Sequence, residues 1–328
     1  MTTPTLLVTL DAGTSGRSVI EATIGATARV VYLSDVAADE RARALAGATV
    51  LLARDTSKEL RIGEPALLGA ARLIQFVTAG VDYIPLGDLP ASLPVASNGG
   101  AYAEPMAEHA VAMALAALKR LLIEHTKLAG GTFDQFRPNR MLAGSVCGIL
   151  GFGGIGVATA RLMRALGAKV HAINRRGTAE EPVDWIGTNA EIDRLLASSD
   201  ILVLSLPLTP ATNGLLSQRE LALMKKDSIL INLARGEIID EAALFAHLKG
   251  TPEFTACIDA WWIEPVRHGL FRMDHDFMSL PNVIASPHNS ASVASWRNVA
   301  LRRAAENARI ALEGGQARHL VPPKDRMK

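Results

Sequence analysis

The strongest constraint on what this chain can fold into lies at 146–156, where an apolar, strand-like run ends in Gly151-x-Gly153-x-x-Gly156. A helical pattern follows over 157–166 and a second apolar run over 168–173. A glycine triplet alone is weak evidence; set between a strand and a helix, with a second strand behind, it has a physical purpose. Gly151 permits the tight turn, Gly153 lets a pyrophosphate approach the backbone, and Gly156 lets the helix pack on the strand. The N–H groups of Gly153, Gly154, Ile155 and Gly156 open a helix whose dipole favours anions. The second strand ends in Asn174-Arg175-Arg176, eighteen residues after the last glycine. An acidic residue there would bind a ribose 2′-hydroxyl, whereas an amide followed by two guanidinium groups suits a 2′-phosphate. The segment predicts a dinucleotide site that prefers NADP(H) and can also take NAD(H).

At 328 residues there is room for about two domains. Upstream of the glycine loop, apolar runs at 6–10, 29–33, 49–52 and 72–77 alternate with helical patterns at 37–45 and 64–69. That alternation predicts a parallel sheet, here without a phosphate-binding glycine turn. Downstream, strands are expected at 169–173, 200–204, 228–232, 255–259 and 283–285, with helices at 189–197, 217–223 and 241–248 among them. A final amphipathic helix is expected over 295–312. The fold class is therefore α/β, with two Rossmann-like, doubly wound parallel-sheet domains. Over 103–129 one long helix is expected, with Met106, His109, Ala110, Met113, Ala114, Ala117 and Leu121 at three- and four-residue spacing. It is more apolar than one packed face requires, which fits either a core helix or a subunit contact.

Composition narrows the function classes. A hydrophobic share of 49% and a charged share of 20% describe an ordinary globular protein. A net charge of +1 gives no reason to expect nucleic acid or an acidic membrane as partner. Cys147 and Cys257, the two cysteines, both fall in apolar runs and read as small buried hydrophobes rather than a disulfide or metal ligands. No metal is expected. The first residues lack a basic segment and cleavage site, and the most apolar helical stretch, 107–117, is too short to span a bilayer. A cytoplasmic enzyme is the expectation.

Three elements at the C-terminal ends of second-sheet strands carry chemistry-bearing side chains, where ligands bind in open α/β sheets. Arg235, in the run 232–240, could clamp a carboxylate, or could be a surface arginine at a helix start. Glu264 precedes a proline beside Trp261 and Trp262; it is either a buried carboxylate needing a partner or a turn residue in water. His288 follows a strand and a proline; one histidine of eight is weak evidence by itself, since most are solvated or satisfied in the core. Hydride transfer to a carbonyl needs an acid for the developing alkoxide, a cation for the substrate, and a carboxylate to keep the acid protonated. His288, Arg235 and Glu264 are those residue types.

In their order these motifs resemble the D-isomer-specific 2-hydroxyacid dehydrogenases, closest to NADPH-dependent glyoxylate/hydroxypyruvate reductases. The family's N-x-x-R-G-x-x-x-D matches 232–240, its D-x-x-x-x-E-P matches 259–265, and its S/T-P-H matches 286–288. Its Pro-Leu-Thr-Pro-x-Thr run matches 207–212. The resemblance implies His288 as general acid/base, Glu264 as its partner, and Arg235 on the substrate's carboxylate and carbonyl. It implies a cofactor cleft lined by Leu206, Pro207, Thr212, Ala234, His288 and Asp259, the last holding the nicotinamide carboxamide. In the 77–82 turn it implies that backbone N–H groups of Ala79 and Gly80 bind the substrate carboxylate. It further implies a substrate domain over 1–98 completed by 290–328, a dinucleotide domain over 99–289, an active site in the interdomain cleft, and a homodimer built through 103–129.

Departures from the family pattern bear on substrate rather than on reaction type. Trp261-Trp262 stands where many members are acidic, which would narrow or dry the pocket. The segment 98–102 replaces a Pro-Gly segment and brings Tyr102 within reach of a substrate. The expected activity is reduction of a small 2-oxo acid, glyoxylate- or hydroxypyruvate-like, to the D-2-hydroxy acid. The alternatives are a dinucleotide-sensing, corepressor-like binding protein of the same fold, or a dehydrogenase for formate or phosphite. Formate enzymes carry glutamine at the Glu264 position and phosphite enzymes a lysine in the segment matching 77–82; neither occurs here.

Overall fold

The computed structural model describes residues 3–327. The chain divides into two compact units, one of residues 1–102 with 293–328 and one of residues 103–292. The breaks thus fall after 102 and 292 rather than after 98 and 289.

In the first unit, β1 (Thr5–Val8), β2 (Arg29–Tyr32), β3 (Val50–Ala53), β4 (Leu73–Phe76) and β5 (Val95–Ala96) form a parallel sheet in the order β2-β1-β3-β4-β5. Successive residues serve opposite faces, and both faces are buried. Leu6 and Val8 pack with Ile20, Leu301, Ala304 and Ala308, whereas Leu7 packs with Leu51, Ile74, Phe76 and Leu86 on the other side. Strands covered on both faces read as unbroken apolar runs, which is why the sequence pattern exposes them.

Two elements of this unit escape the pattern. The helix Gly13–Ile24 carries glycine and β-branched residues, which weaken helical propensity. Packing supplies what propensity lacks: a Cβ on Gly16 would stand 2.9 Å from Leu301 Cδ1, so glycine lets this helix close onto the helix Trp296–Leu312. β5 has two residues, too few to show a period.

In the second unit, β6 (Val146–Leu150), β7 (Lys169–Ile173), β8 (Trp185–Gly187), β9 (Ile201–Leu204), β10 (Ile229–Asn232), β11 (Thr255–Ile258) and β12 (Val283–Ala285) pair in parallel. Their order is β12-β11-β10-β9-β6-β7-β8, a doubly wound sheet that reverses direction between β6 and β9. Ligands bind at such a reversal point, beyond the strands' carboxyl ends. β8, three residues at the edge, was not expected from sequence. Cys147 and Cys257 are free and fully buried, and burial pushes both thiols up, Cys147 to about 12.

The long helix expected over 103–129 is two helices, Ala103–Leu118 and Leu121–Ala129. Arg120 takes a left-handed φ of 53°, and the Leu118 carbonyl accepts the N–H of Arg140 at 3.1 Å instead of continuing the ladder. Lys119 Nζ reinforces the break by donating to Arg140 O at 2.7 Å. Among the described residues no helix is long and apolar enough to cross a membrane.

Candidate active site

The glycine loop has the shape its sequence demands. Gly151 follows β6 with a φ of +100°, and a Cβ there would lie 2.6 Å from Leu206 N. A Cβ on Gly156 would lie 2.4 Å from Gly151 O and 3.0 Å from Ile149 Cγ2. Both positions are closed to any side chain. Around Gly153, by contrast, there is nothing within 4 Å of a Cβ position, so that backbone is open to an approaching ligand. Gly153 caps the helix Gly154–Ala165, whose first turn includes Ile155 and Gly156 and has Val157 N–H donating to Gly153 O. The first-turn N–H groups precede the intrahelical ladder and form an anion cradle. The residues present therefore fit a dinucleotide diphosphate.

Beyond β7, Asn174 is occupied with its own loop. Its Oδ1 accepts the N–H groups of Arg176 at 2.9 Å and Gly177 at 2.8 Å, while Nδ2 donates to Thr178 O at 2.8 Å. The amide thus builds the turn, and Arg175 and Arg176 are exposed on it. After β9, Leu206 abuts the glycine loop and Pro207 is exposed. Thr212 ties this segment together, donating to Pro207 O at 2.7 Å and accepting from Thr209 N at 2.8 Å.

The three chemistry-bearing side chains all belong to the second unit. Arg235 follows β10 on a loop set by Asn232, whose Oδ1 accepts Ala234 N–H and whose Nδ2 donates to Arg235 O. Ala234 is buried, and Arg235 Nη1 donates to its carbonyl at 2.7 Å. Gly236 must be glycine, because a Cβ would sit 2.4 Å from the peptide joining Trp261 to Trp262. The loop bearing Arg235 thus packs backbone to backbone on the loop bearing Glu264.

Glu264 is 6% exposed. Its Oε1 accepts Trp261 N–H at 2.7 Å, and His288 Nδ1 lies 2.9 and 2.8 Å from Oε1 and Oε2. Burial alone would push this carboxyl up. The His288 hydrogen bond and charge, the Trp261 N–H and the Arg235 charge outweigh burial and hold it below the usual carboxylate range. An ionised Glu264 accepts the Nδ1 proton of His288, which leaves Nε2 as the nitrogen for a reacting group. His288 itself has a left-handed φ of 49°, a conformation that a non-glycine residue keeps only when its surroundings impose it.

Asp259 supplies much of that constraint. It is fully buried, its carbonyl accepts His288 N–H at 2.9 Å, and its carboxylate accepts Asn289 N–H at 3.1 Å and Ser290 N–H at 3.3 Å. These contacts are internal and organise the histidine turn.

The two tryptophans brace the segments that carry the site. Trp261 Nε1 donates to Ser286 O at 2.9 Å, two residues before His288, and Trp262 Nε1 donates to Ile239 O at 2.7 Å, in the segment of Arg235. Trp262 stacks on buried Phe277, and Trp261 packs edge-on against Phe271 and Phe277. An ion pair of 2.6 Å between Arg267 and Glu237 further joins the Glu264 and Arg235 segments. None of these supports is visible in sequence, because spacing along a chain does not reveal which carbonyl an indole reaches.

In the first unit, Ala79 and Gly80 lie just beyond β4 and are half-buried. The Tyr102 hydroxyl donates to Val77 O at 3.3 Å, which places its ring beside that turn, and Asn98 N–H donates to Thr78 O at 2.8 Å.

Comparison with known proteins agrees with this architecture. The chain is 31% identical over 204 residues to a hydroxypyruvate reductase of Thermotoga maritima and 35% identical over 178 residues to a glyoxylate/hydroxypyruvate reductase B of Enterobacter agglomerans. These matches cover 62% and 54% of this chain, and the chain spans 64% and 54% of those relatives' lengths. Among solved structures it is similar to a D-isomer-specific 2-hydroxyacid dehydrogenase of Xanthobacter autotrophicus Py2 in complex with NADPH and MES. That likeness has a TM-score of 0.80 at 26% identity and covers 98% of this chain and 99% of the other. Residues 111–290, more than half of the chain and all of the glycine-loop sheet, match the NAD-binding domain of one family, and the chain belongs to it: the D-isomer-specific 2-hydroxyacid dehydrogenases.

Proposed function

We propose that the chain reduces a small 2-oxo acid of the glyoxylate or hydroxypyruvate kind to the D-2-hydroxy acid, using NADPH in preference to NADH. The observation that carries this reading is His288 Nδ1 held at 2.8–2.9 Å by both oxygens of a buried, ionised Glu264. When bound, a nicotinamide dinucleotide supplies the two-electron chemistry. The chain's own residues do the rest. Arg235 fixes the substrate carboxylate and polarises its carbonyl, and the family resemblance assigns the backbone N–H groups of Ala79 and Gly80 as carboxylate donors. Tyr102 borders the same turn as a proposed substrate contact. His288 delivers its Nε2 proton to the developing alkoxide oxygen while Glu264 keeps the Nδ1 proton in place. The N–H groups from Gly153 to Gly156 hold the diphosphate, and Arg175 and Arg176 hold the 2′-phosphate.

Relatives named as hydroxypyruvate and glyoxylate reductases support the substrate class. The NADPH in the Xanthobacter structure supports the cofactor. A homodimer is part of the same reading, supported by exposed apolar side chains on and after the helix Leu121–Ala129, among them Leu128, Phe133 at 76% and Phe136 at 85% exposure.

The test is oxidation of NADPH and of NADH, followed by absorbance, with a panel of 2-oxo acids. The expected result is a higher kcat/KM with NADPH and turnover of glyoxylate or hydroxypyruvate, abolished by Arg235→Ala and by His288→Ala. Silence across the panel by a protein that still binds NADPH would overturn the reading in favour of a dinucleotide-binding protein of the same fold.

A further inference from the structure

His109, Ser286 and Asp259 form a hydrogen-bonded cluster that the reaction above does not use. His109 lies on the helix Ala103–Leu118, and its Nε2 is 3.0 Å from Ser286 Oγ and 3.9 Å from Asp259 Oδ1. Ser286 Oγ in turn lies 2.5 Å from Asp259 Oδ1.

The direction of every proton follows from the chemistry of the groups. The N–H groups of Asn289 and Ser290 converge on the Asp259 carboxylate, which accepts only. Ser286 must therefore point its hydroxyl proton at Asp259. That leaves lone pairs on Ser286 Oγ for the imidazole, so His109 must carry its proton on Nε2. The chain runs from His109 Nε2–H to Ser286 O–H to the Asp259 carboxylate. At its far end Asp259 receives the N–H groups of residues 288, 289 and 290, one on its carbonyl and two on its carboxylate. Those bonds keep His288 at its positive φ.

We propose that His109 is a positioning residue: its Nε2–H anchors the chain through Ser286 and Asp259 that fixes the turn presenting His288. The helix and the turn are 177 residues apart in sequence at this bond, so a side chain on one element sets the orientation of a proton donor on another. The kinetic part of this proposal rests on His288 being the acid; the tautomer does not.

Two measurements test it. Heteronuclear NMR of protein labelled with 15N-histidine, eight residues in all, reads each ring's tautomer, and the His109 signal is assigned by its loss in His109→Gln. Near neutral pH, His109 is expected to carry a proton on Nε2; a neutral ring protonated on Nδ1 alone would overturn the proposal. In kinetics, His109→Met keeps comparable bulk without a donor, and His109→Gln replaces Nε2–H with an amide N–H. His109→Met should lower kcat about tenfold, the scale of one lost hydrogen bond, with KM within about twofold. His109→Gln should stay within about threefold of the parent. Because His109 and Ser286 act in series, combining His109→Met with Ser286→Ala should cost no more than Ser286→Ala alone. Equal impairment of the Gln and Met variants, or multiplying losses in the double variant, would refute the chain. Undiminished turnover in His288→Ala would instead sink the reading of the acid and leave the tautomer result standing.

Discussion

Glu264→Gln isolates what the buried carboxylate does for His288. Glutamine fits the same space and can keep its oxygen where Oε1 accepts Trp261 N–H at 2.7 Å, so the loop has no reason to unfold. Its NH2 group then occupies the place of Oε2, 2.8 Å from His288 Nδ1, where donor would face donor. Nδ1–H keeps only the neutral amide oxygen at the Oε1 position, 2.9 Å away, so the charge-assisted hydrogen bond to the carboxylate is lost. Such a bond contributes about 1.5–3 kcal/mol. At about 1.4 kcal/mol per factor of ten, kcat/KM should fall roughly 10- to 150-fold. The assay is steady-state NADPH oxidation with whichever 2-oxo acid the parent turns over. A variant within about twofold of the parent would refute the assignment of Glu264 as the partner that holds the acid. A thermal measurement accompanies it. Because the Glu264 carboxyl is held below its ordinary value, it stabilises the fold above the unfolded carboxyl's titration, near pH 4.5, and that contribution fades as pH drops through the folded value. The Tm gap between parent and Glu264→Gln should therefore be full near pH 6 and narrow below about pH 4; a gap that widens with acid would contradict the sign.

Three other outcomes are expected. Gly236→Ala would force a methyl to within 2.4 Å of the Trp261–Trp262 peptide and should cost about 3 kcal/mol, the upper end of overpacking penalties, seen as a lower urea midpoint; an unchanged midpoint would mean the two loops do not pack as described. Trp262→Phe keeps the stack on Phe277 but leaves the buried Ile239 carbonyl without its indole donor, so unfolding free energy should fall by about 1–3 kcal/mol, with an unchanged value counting against the brace. Replacing Arg175 and Arg176 together by alanine should weaken NADPH binding in calorimetry by about 1.5–3 kcal/mol per lost contact while moving NADH less than about threefold. Equal losses for the two cofactors would contradict the 2′-phosphate role.

What could be read from sequence divides by physical cause. Doubly buried strands such as Ile201–Leu204 announce themselves as unbroken apolar runs, and Gly151 and Gly156 are legible because no other residue fits their turns. The helix Gly13–Ile24 was not legible, since its stability comes from the close approach that Gly16 allows onto a helix almost three hundred residues away. The break at Arg120 was hidden for a similar reason: Arg140 captures a carbonyl from outside the helical pattern. At the site, the residue types of Arg235, Glu264 and His288 matched a known chemistry, and their order matched a family. The bonds that hold them, from Asp259 and the two indoles, arise only when β10, β11 and β12 are laid side by side.

The two braced indoles also make the site optically visible. They are two of the four tryptophans in the chain, each tied by its ring N–H to a carbonyl in a segment that carries His288 or Arg235. Indole emission depends on that hydrogen bond and on the surrounding rings. A rearrangement of either segment will thus change the intrinsic fluorescence of the unlabelled protein, before any turnover is measured. In this chain the scaffold behind the chemistry doubles as its reporter.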